Sequence, residues 1–229
     1  MLETLVLVPT PLERRLLAPT LARGLGVANR LELCGFGPVA AAARTAELIA
    51  TGSPKRVLLV GIAGRFDVRL AIGSAYRFSE VACYGVGVGS AAEFIPADQL
   101  GWQQWPGEPD AAGDASPSPA ETAGAIGDRL SCTAARSADS SKAGLLLTAC
   151  AASATAFDGR QRKGLYPEAE AEDMEGFAVA LACRLGGVPL TIVRGISNTA
   201  GDRDQAHWQI PAALAAAADL SLRILAEES

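Results

Sequence analysis

The chain has 229 residues, and its 25 acidic side chains outnumber its 20 Lys and Arg, which gives a formal net charge of −5. This balance, without any basic run, argues against a nucleic-acid partner. The 49% of hydrophobic and 20% of charged residues are typical of a globular protein that buries a sizeable core. The single histidine, His207, excludes a metal site built from several histidines and leaves one residue for any histidine-dependent nucleophile.

The five cysteines are scattered, and the closest two are 18 residues apart. This spacing excludes CxxC metal or redox pairs and predicts free thiols in a reducing compartment. The amino-terminal residues lack the basic segment of a signal peptide, and the longest uncharged stretch, residues 143–157, is too short to cross a bilayer. We therefore expect a cytoplasmic protein with no membrane partner.

Short apolar segments alternate with longer amphipathic ones in the first half of the chain. The β-branched and leucine-rich segments predict strands, and the segments with apolar residues at helical spacing predict helices. The predicted order is strand 4–9, helix 12–23, strand 30–34, helix 39–50, strand 56–60 and strand 74–83. The third strand runs into Gly61-Ile62-Ala63-Gly64, which predicts either a tight turn at the strand end or backbone N–H groups exposed there to a flat ring or an anion.

A stretch rich in Pro, Gly and Ser interrupts this alternation at about residues 103–122 and predicts a loop or disordered insertion. The alternation then resumes with strand 145–149, helix 154–162, strand 169–173, helix 175–185, strand 190–196 and helix 208–226. Such an order predicts an α/β fold with a mostly parallel central sheet flanked by helices. We expect one domain over residues 1–229.

In sheets of this kind ligands bind beyond the carboxyl ends of the strands. The second strand ends in Gly35-Phe36-Gly37-Pro38-Val39-Ala40, which matches the loose dinucleotide-binding pattern GxGxxA. The next strand ends at Gly61 without the acid that would hold a ribose, which favours glycines that merely permit a tight turn. A NAD- or nucleotide-binding module without ribosidic chemistry stays an alternative hypothesis.

Carboxylates stand at two of the strand ends. Glu13 lies on the first turn of the first helix, and Glu175 follows Met174 where a strand gives way to a helix. Either acid can simply stabilise a helix N-terminus. A methionine beside a carboxylate also suits a sugar, because the methionine packs against the ring while the carboxylate accepts hydrogen bonds from two vicinal hydroxyls.

The densest polar run, residues 194–204, follows the last strand and contains arginine, asparagine and aspartate side chains. It predicts either a ligand-binding loop or an exposed loop that caps the last helix. His207 is expected at the surface or at the start of that helix rather than as a catalytic base. Trp208 is expected to anchor the helix, although an aromatic side chain in this position can also cover a substrate.

Taken together, five motifs resemble those of the nucleoside phosphorylase/nucleosidase superfamily, in the same order, over nearly the whole chain except about residues 103–142. They are Glu13, Gly35-Phe36-Gly37, Gly61-Ile62-Ala63-Gly64, Met174-Glu175-Gly176-Phe177-Ala178 and Arg194-Gly195-Ile196-Ser197-Asn198. The resemblance implies a three-layer sandwich around a mixed sheet, a small-molecule nucleoside substrate, no cofactor and no metal. It also implies a homo-oligomer in which a neighbour completes the pocket.

Within the superfamily, the carboxyl-terminal stretch resembles the futalosine hydrolases of the alternative menaquinone pathway. The residues that carry this closer resemblance are Ile196-Ser197-Asn198, Gly201-Asp202-Arg203-Asp204 and Trp208. It implies hydrolysis of the N-glycosidic bond of futalosine, which yields hypoxanthine and dehypoxanthinyl futalosine.

The resemblance also implies a role for each matching residue. Glu13 would orient or deprotonate the attacking water, Met174 and Glu175 would hold the ribose, and Asn198 would contact the N7 edge of the purine. Glu13 and Asn198 are therefore the expected catalytic residues. The remaining expected substrate contacts are Gly61, Ala63, Gly64, Phe157, Ser197 and Asp202. Whether Asp202 or Asp204 helps to protonate the leaving base stays open.

The Asn198 side-chain amide indicates which purine base the protein binds. Adenosine-type nucleosidases carry aspartate there, whereas an amide offers two N–H donors that suit the O6 and N7 acceptors of a 6-oxopurine such as hypoxanthine. Two residues favour water over phosphate as the nucleophile. The Glu13 carboxylate would repel a phosphate dianion, and Ile62 stands where phosphorylases have a hydroxyl that would bind it. Arg14 and Arg65 keep phosphorolysis open as an alternative. Hydrolysis of methylthioadenosine or S-adenosylhomocysteine is another.

Overall fold

The centre of the fold is a mixed β-sheet, seen in a computed structural model that describes residues 2–90, 93–107, 124–132 and 141–227. The strands are β1 Thr4–Val8, β2 Asn29–Leu33, β3 Arg56–Arg65, β4 Ala75–Tyr84, β5 Gly87–Val88, β6 Ile95–Pro96, β7 Arg129–Ser131, β8 Lys142–Ala149, β9 Ala169–Asp173 and β10 Leu190–Thr199. The helices are α1 Pro11–Leu21, α2 Pro38–Gly52, α3 Ala156–Leu165, α4 Gly176–Leu185 and α5 Ile210–Glu227.

Strand β3 organises the sheet because it pairs with three neighbours. Its first residues pair in parallel with β1, residues 57–65 pair in parallel with β10, and its last two residues pair antiparallel with β9. Strands β4 and β8 link β10 to β9, so β3, β10, β4, β8 and β9 form a closed circuit. The sheet is mixed and mostly parallel, as the sequence predicts: five of its strand pairings are parallel, and β10–β4, β3–β9 and β4–β7 are antiparallel.

Helices cover both faces of this sheet, as the period of two along a strand requires. In β1, Leu5 and Leu7 pack into a core cluster with α2 and α4, whereas Val6 and Val8 pack into a second cluster with α1 and α5. All four side chains are at most 1% exposed. The result is the expected three-layer α/β sandwich.

Two strands are longer than predicted, and both extensions matter for the site. Residues 61–64 continue β3 instead of forming a turn, and β10 runs past Ile196 to Thr199. Glycines weaken the strand propensity of residues 61–64, but this segment and the extension of β10 satisfy each other's backbone groups across the β3–β10 ladder. A bulge between Ile196 and Asn198 shifts the register there.

Part of the predicted insertion, residues 108–122, lies outside the described residues. Residues 103–107 are described, and there Trp105 forms a bridge with Ile126. Within the described ranges, none of the helices combines the length and the apolar character needed to cross a bilayer.

Candidate active site

A cavity of about 320 Å³ opens where β3, β9 and β10 end. Most of the residues that were expected to contact substrate line it, together with several that were not. The lining residues are Pro9, Thr10, Leu12, Glu13, Phe36, Ile62, Ala63, Gly64, Ala152, Ser153, Glu172, Asp173, Met174, Glu175, Ser197, Asn198, Gly201, Arg203, Trp208 and Ile210. Glu13, Met174, Glu175 and Asn198, which are far apart in sequence, therefore share one cavity.

Glu13 is held in one orientation at the start of α1. Thr10 is the N-cap residue of this helix; its hydroxyl accepts a hydrogen bond from the Glu13 N–H and donates to Glu13 Oε2 at 2.6 Å. Oε1 accepts from the Ile62 N–H at 3.0 Å. The side chain is only 5% exposed and lines the cavity. Glu13 is therefore not merely a surface acid that stabilises the start of a helix.

Glu175 is the N-cap residue of α4 and is equally buried. Its Oε1 accepts from the Gly37 N–H at 3.0 Å, and its Oε2 lies 3.4 Å from Nη2 of Arg194. Burial raises the pKa of Glu175 to about 7, with Arg194 opposing and Asp173 adding to the increase. Met174 lines the cavity beside it and is half-buried.

Beneath Glu175 lies a fully buried ion pair. Arg194, on β10, donates from Nε and Nη2 to Oδ2 of Asp173, at 3.0 and 2.6 Å. Among the described residues Nη1 of Arg194 has no hydrogen-bond partner. It occupies the space beside Gly61, where a Cβ would collide with it and with Oε1 of Glu13. Position 61 therefore needs a glycine because the arginine and Glu13 fill that space.

Asn198 lies on β10 next to the bulge, with a fixed amide. Its Oδ1 accepts from the Ser197 hydroxyl at 2.7 Å, while Nδ2 donates to the carbonyls of Thr199 and Asp202 at 2.9 and 3.3 Å. A flipped amide would set an oxygen against both carbonyls, so the contacts define which end carries the N–H groups. A purine that accepts from Nδ2 has to replace one of these bonds, and the Asp202 bond is the longer.

The remaining expected contacts divide into two groups. Ala63, Gly64 and Ser197 line the cavity. Gly61, Phe157 and Asp202 are not among the lining residues, and Phe157 is 57% exposed on α3.

The Asp202 carboxylate points away to His207 Nδ1 at 2.8 Å, which lowers the pKa of Asp202 and raises that of His207. His207 is exposed, as the sequence predicts. The carbonyl of Asp202 accepts from the indole N–H of Trp208, and the Arg203 guanidinium lies 5.0 Å above the Trp208 ring. Trp208 lines the cavity, and it also lies directly before the last helix, α5.

Sequence reasoning missed one wall of the cavity. Glu172, on β9, and Ser153 line it, and the buried Arg162 donates to Glu172 Oε2 at 2.6 Å. Glu172 occurs in a strand of alternating alanine and acid, AEAED, directly before Met174. An acidic residue at an inward-facing position of a buried strand is unusual, and this feature of the sequence could have indicated that Glu172 belongs to the cavity wall.

Two features argue against the alternatives that the sequence left open. The Gly37 N–H, which a pyrophosphate would need at the start of α2, donates to Glu175. Neither Arg14 nor Arg65 lines the cavity, and Arg65 instead donates to the Leu70 carbonyl at 2.9 Å.

Within the described part of the chain, no cluster of three or more His, Cys, Asp or Glu side chains is arranged to hold a metal ion.

Known proteins share both the sequence pattern and the fold. The sequence-family model of the phosphorylase superfamily matches residues 20–227. The futalosine hydrolase of Streptomyces coelicolor is 33% identical over 190 residues, which are 81% of this chain and 73% of that protein. The futalosine hydrolase of Thermus thermophilus is 32% identical over 200 residues, 85% of this chain and 80% of that protein.

A crystal structure of the 5′-methylthioadenosine/S-adenosylhomocysteine nucleosidase of Neisseria meningitidis, in complex with methylthio-immucillin-A, has the same fold. Its TM-score is 0.71 at 19% identity, and the match covers 98% of this chain and 99% of that one. The family match and the two relatives with more than 30% identity show that the chain belongs to the phosphorylase superfamily.

Proposed function

We propose that the chain is a purine nucleosidase that hydrolyses the N-glycosidic bond of futalosine, releasing hypoxanthine. The observation that carries the proposal is the placement of Glu13, Glu175 and Asn198 around one cavity, together with the relatives named futalosine hydrolase. Cleavage of a ribosidic C–N bond passes through a cationic, oxocarbenium-like state and needs a nucleophile, a held ribose and a stabilised leaving base. Each carboxylate or amide can meet one of these needs.

Glu13 and Arg194 bind and orient the nucleophile, a water molecule. A water that donates to Glu13 and accepts from Nη1 of Arg194, which has no hydrogen-bond partner in the described part of the chain, would be oriented by two buried groups. Its oxygen bonds to C1′ of the ribose while a proton passes to Glu13. Because Thr10 and Ile62 fix the two Glu13 oxygens, the general base loses little orientational freedom when the water reacts.

Glu175 and Met174 supply the ribose side. The ionised Glu175 can accept from the vicinal hydroxyls, and Met174 can pack against the sugar face. The negative charge also stabilises the cationic ribose of the transition state, because burial strengthens the attraction between the two charges.

Asn198 supplies the leaving-group side. As the C1′–N9 bond breaks, the electron pair passes to the purine, and negative charge spreads to N7 and O6 until the base takes up a proton from solvent to give hypoxanthine. An N–H of Asn198 stabilises that charge, while the Ser197 hydroxyl keeps the amide oxygen turned away from it.

The charge of the cavity favours water over phosphate. Four acids line it (Glu13, Glu172, Asp173 and Glu175), of which Glu172 and Asp173 are paired with the buried Arg162 and Arg194. The one arginine among the described lining residues, Arg203, lies over Trp208. A phosphate dianion would be repelled by carboxylates that are fixed by hydrogen bonds.

The test is a substrate panel. The purified chain is incubated with futalosine, inosine and methylthioadenosine, and released base is separated by chromatography. We expect hypoxanthine from futalosine at the highest kcat/KM. No release from futalosine, or faster release of adenine from methylthioadenosine, would contradict the proposal.

We also propose that a second copy of the chain covers the mouth of the cavity. Leu12 and Phe36 line the cavity yet are 44% and 65% exposed, and Val39 nearby is 83% exposed. Apolar side chains grouped in this way are typical of an interface. Light scattering after size exclusion should give a dimer or larger oligomer, and a Phe36→Glu variant should shift it toward the monomer. A monomeric unmodified chain would contradict this part.

We further propose that residues 1–229 act as one domain in the cytoplasm. Its five cysteines are all free, which suits a reducing compartment. Fractionation of cells that express a tagged chain tests the location, and recovery of the chain outside the cytoplasm would contradict it.

A further inference from the structure

Glu172 and Asn198 face each other across Gly64. In the sheet register, Gly64 pairs with Asn198 of β10 on one side and with Glu172 of β9 on the other. Neighbouring strands are about 4.8 Å apart, so the Cα atoms of Glu172 and Asn198 are separated by roughly 10 Å. All three residues line the cavity, and Ala200 packs so closely on Gly64 that an added Cβ would lie 3.3 Å from the Ala200 Cα. The two polar side chains therefore border the same cavity on either side of Gly64.

The Glu172 carboxylate is anchored by three hydrogen bonds. Oε1 accepts from the Ser153 N–H at 2.8 Å, and Oε2 accepts from the Ser153 hydroxyl at 2.7 Å and from Arg162 Nη1 at 2.6 Å. Arg162 is itself fixed by the Ala151 carbonyl and lies 4.9 Å over the Tyr84 ring. A carboxylate has about four acceptor positions, so one remains for a ligand.

This arrangement also changes what the wall offers to a ligand. The Ser153 N–H would otherwise present a main-chain donor, but it is taken up by Glu172. The wall opposite Asn198 therefore presents an acceptor and no free donor from Ser153. An acceptor here requires a donor on the ligand, because a ligand acceptor facing a buried carboxylate would leave both groups unpaired.

Purines differ in this respect at N1. A 6-oxopurine carries a proton on N1 and acceptors at O6 and N7, whereas a 6-aminopurine has an unprotonated N1 that can only accept. We propose that Glu172 is a specificity-determining residue that accepts a hydrogen bond from N1–H of a 6-oxopurine, opposite the Asn198 amide on its O6/N7 edge. Arg162 and Ser153 position the carboxylate. This inference rests on the proposed nucleosidase activity and names the class of base that it selects.

The experiment compares two substrates that differ only at position 6, futalosine and its 6-amino analogue, on the same protein preparation. The readout is the ratio of their kcat/KM values, which does not depend on the fraction of folded protein. For Glu172→Gln we expect the preference for the 6-oxo substrate to fall by at least about tenfold, because the single amide oxygen is taken up by Ser153 and Arg162 and no acceptor is left for N1–H.

A second variant guards against misfolding. In Glu172→Leu combined with Arg162→Met both charges are removed together, so no unpaired charge stays buried, and the Ser153 N–H becomes free to donate to an unprotonated N1. The same fall in the ratio is expected. Glu170→Gln, on the same strand but outside the cavity lining, is the control and should leave the ratio unchanged.

A purely structural role for Glu172 would lower both kcat/KM values in parallel. A ratio that changes by less than about tenfold in both Glu172 variants would thus overturn the inference. Absence of hydrolysis of any nucleoside by the unmodified chain would instead contradict the proposed function itself, so the two failures are distinguishable.

Discussion

Arg194 donates to Oδ2 of Asp173 through both Nε and Nη2, at 3.0 and 2.6 Å, and neither side chain is exposed to solvent. Asp173 accepts further bonds from the Thr148 hydroxyl and the Gly176 N–H. The pair therefore ties β10 to β9, β8 and the start of α4 directly beneath the cavity. It fixes the arginine whose remaining nitrogen, Nη1, lies beside Gly61 and Glu13.

Removing one partner of this pair should be costly. Arg194→Gln leaves the Asp173 carboxylate buried without its counter-charge, and the free energy of unfolding should fall by about 3–5 kcal/mol. Urea unfolding followed by circular dichroism measures the change. Arg44→Gln is the control, because the Arg44–Glu47 pair is exposed, and its urea midpoint should barely move. Equal midpoints for the two variants would contradict the structural role of Arg194.

Glu13→Gln tests the general base. The amide can still accept from Ile62 or pair with Thr10, but it cannot take a proton from water, so kcat should fall by at least about 100-fold. Binding of the nucleoside, measured by calorimetry, should change little. Glu47→Gln, on the exposed face of α2, serves as the control. Turnover by Glu13→Gln at the rate of the unmodified chain would remove Glu13 from the mechanism.

Glu175 should give the enzyme a pH dependence near neutrality. Burial raises the pKa of this carboxyl to about 7, so the ionised form needed by the ribose hydroxyls is lost as the pH falls through that value. We expect kcat/KM to rise with pH between about 6 and 8 and then level off. Glu175→Gln should be slower and lack this limb of the profile. If the variant keeps the limb, another group titrates there.

Glu13, Glu175 and Asn198 were predicted as site residues because each follows a predicted strand within a recognisable motif, and all three line the cavity, whereas their roles stay predictions. The sequence also predicted the layer order, since apolar alternation in strands such as β1 is a local signal. Glu172 was missed because its role depends on the β3–β9 register and on Arg162, and neither is visible in a short window of sequence. Residues 61–64 were predicted as a turn because glycine is a local turn signal, whereas pairing with β10 is a long-range contact.

The close contact between β10 and α5 gives a test of the fold. A Cβ at Gly195 would lie 2.5 Å from the carbonyl carbon and 3.0 Å from the Cβ of Ala213, so strand and helix would have to separate. Gly195→Ala should lower the free energy of unfolding by about 1–3 kcal/mol. Gly26→Ala is the matched control, because no heavy atom lies within 4 Å of its added Cβ. A thermal midpoint for Gly195→Ala equal to that of Gly26→Ala would contradict this packing.

The most direct test of the central claim is the release of hypoxanthine from futalosine in buffer that is free of phosphate, followed at the absorbance of the base. A hydrolase that uses water oriented by Glu13 should release hypoxanthine at the same rate with and without phosphate, together with an equal amount of dehypoxanthinyl futalosine. Strict dependence on phosphate, with a sugar product that carries phosphate at C1′, would contradict the account.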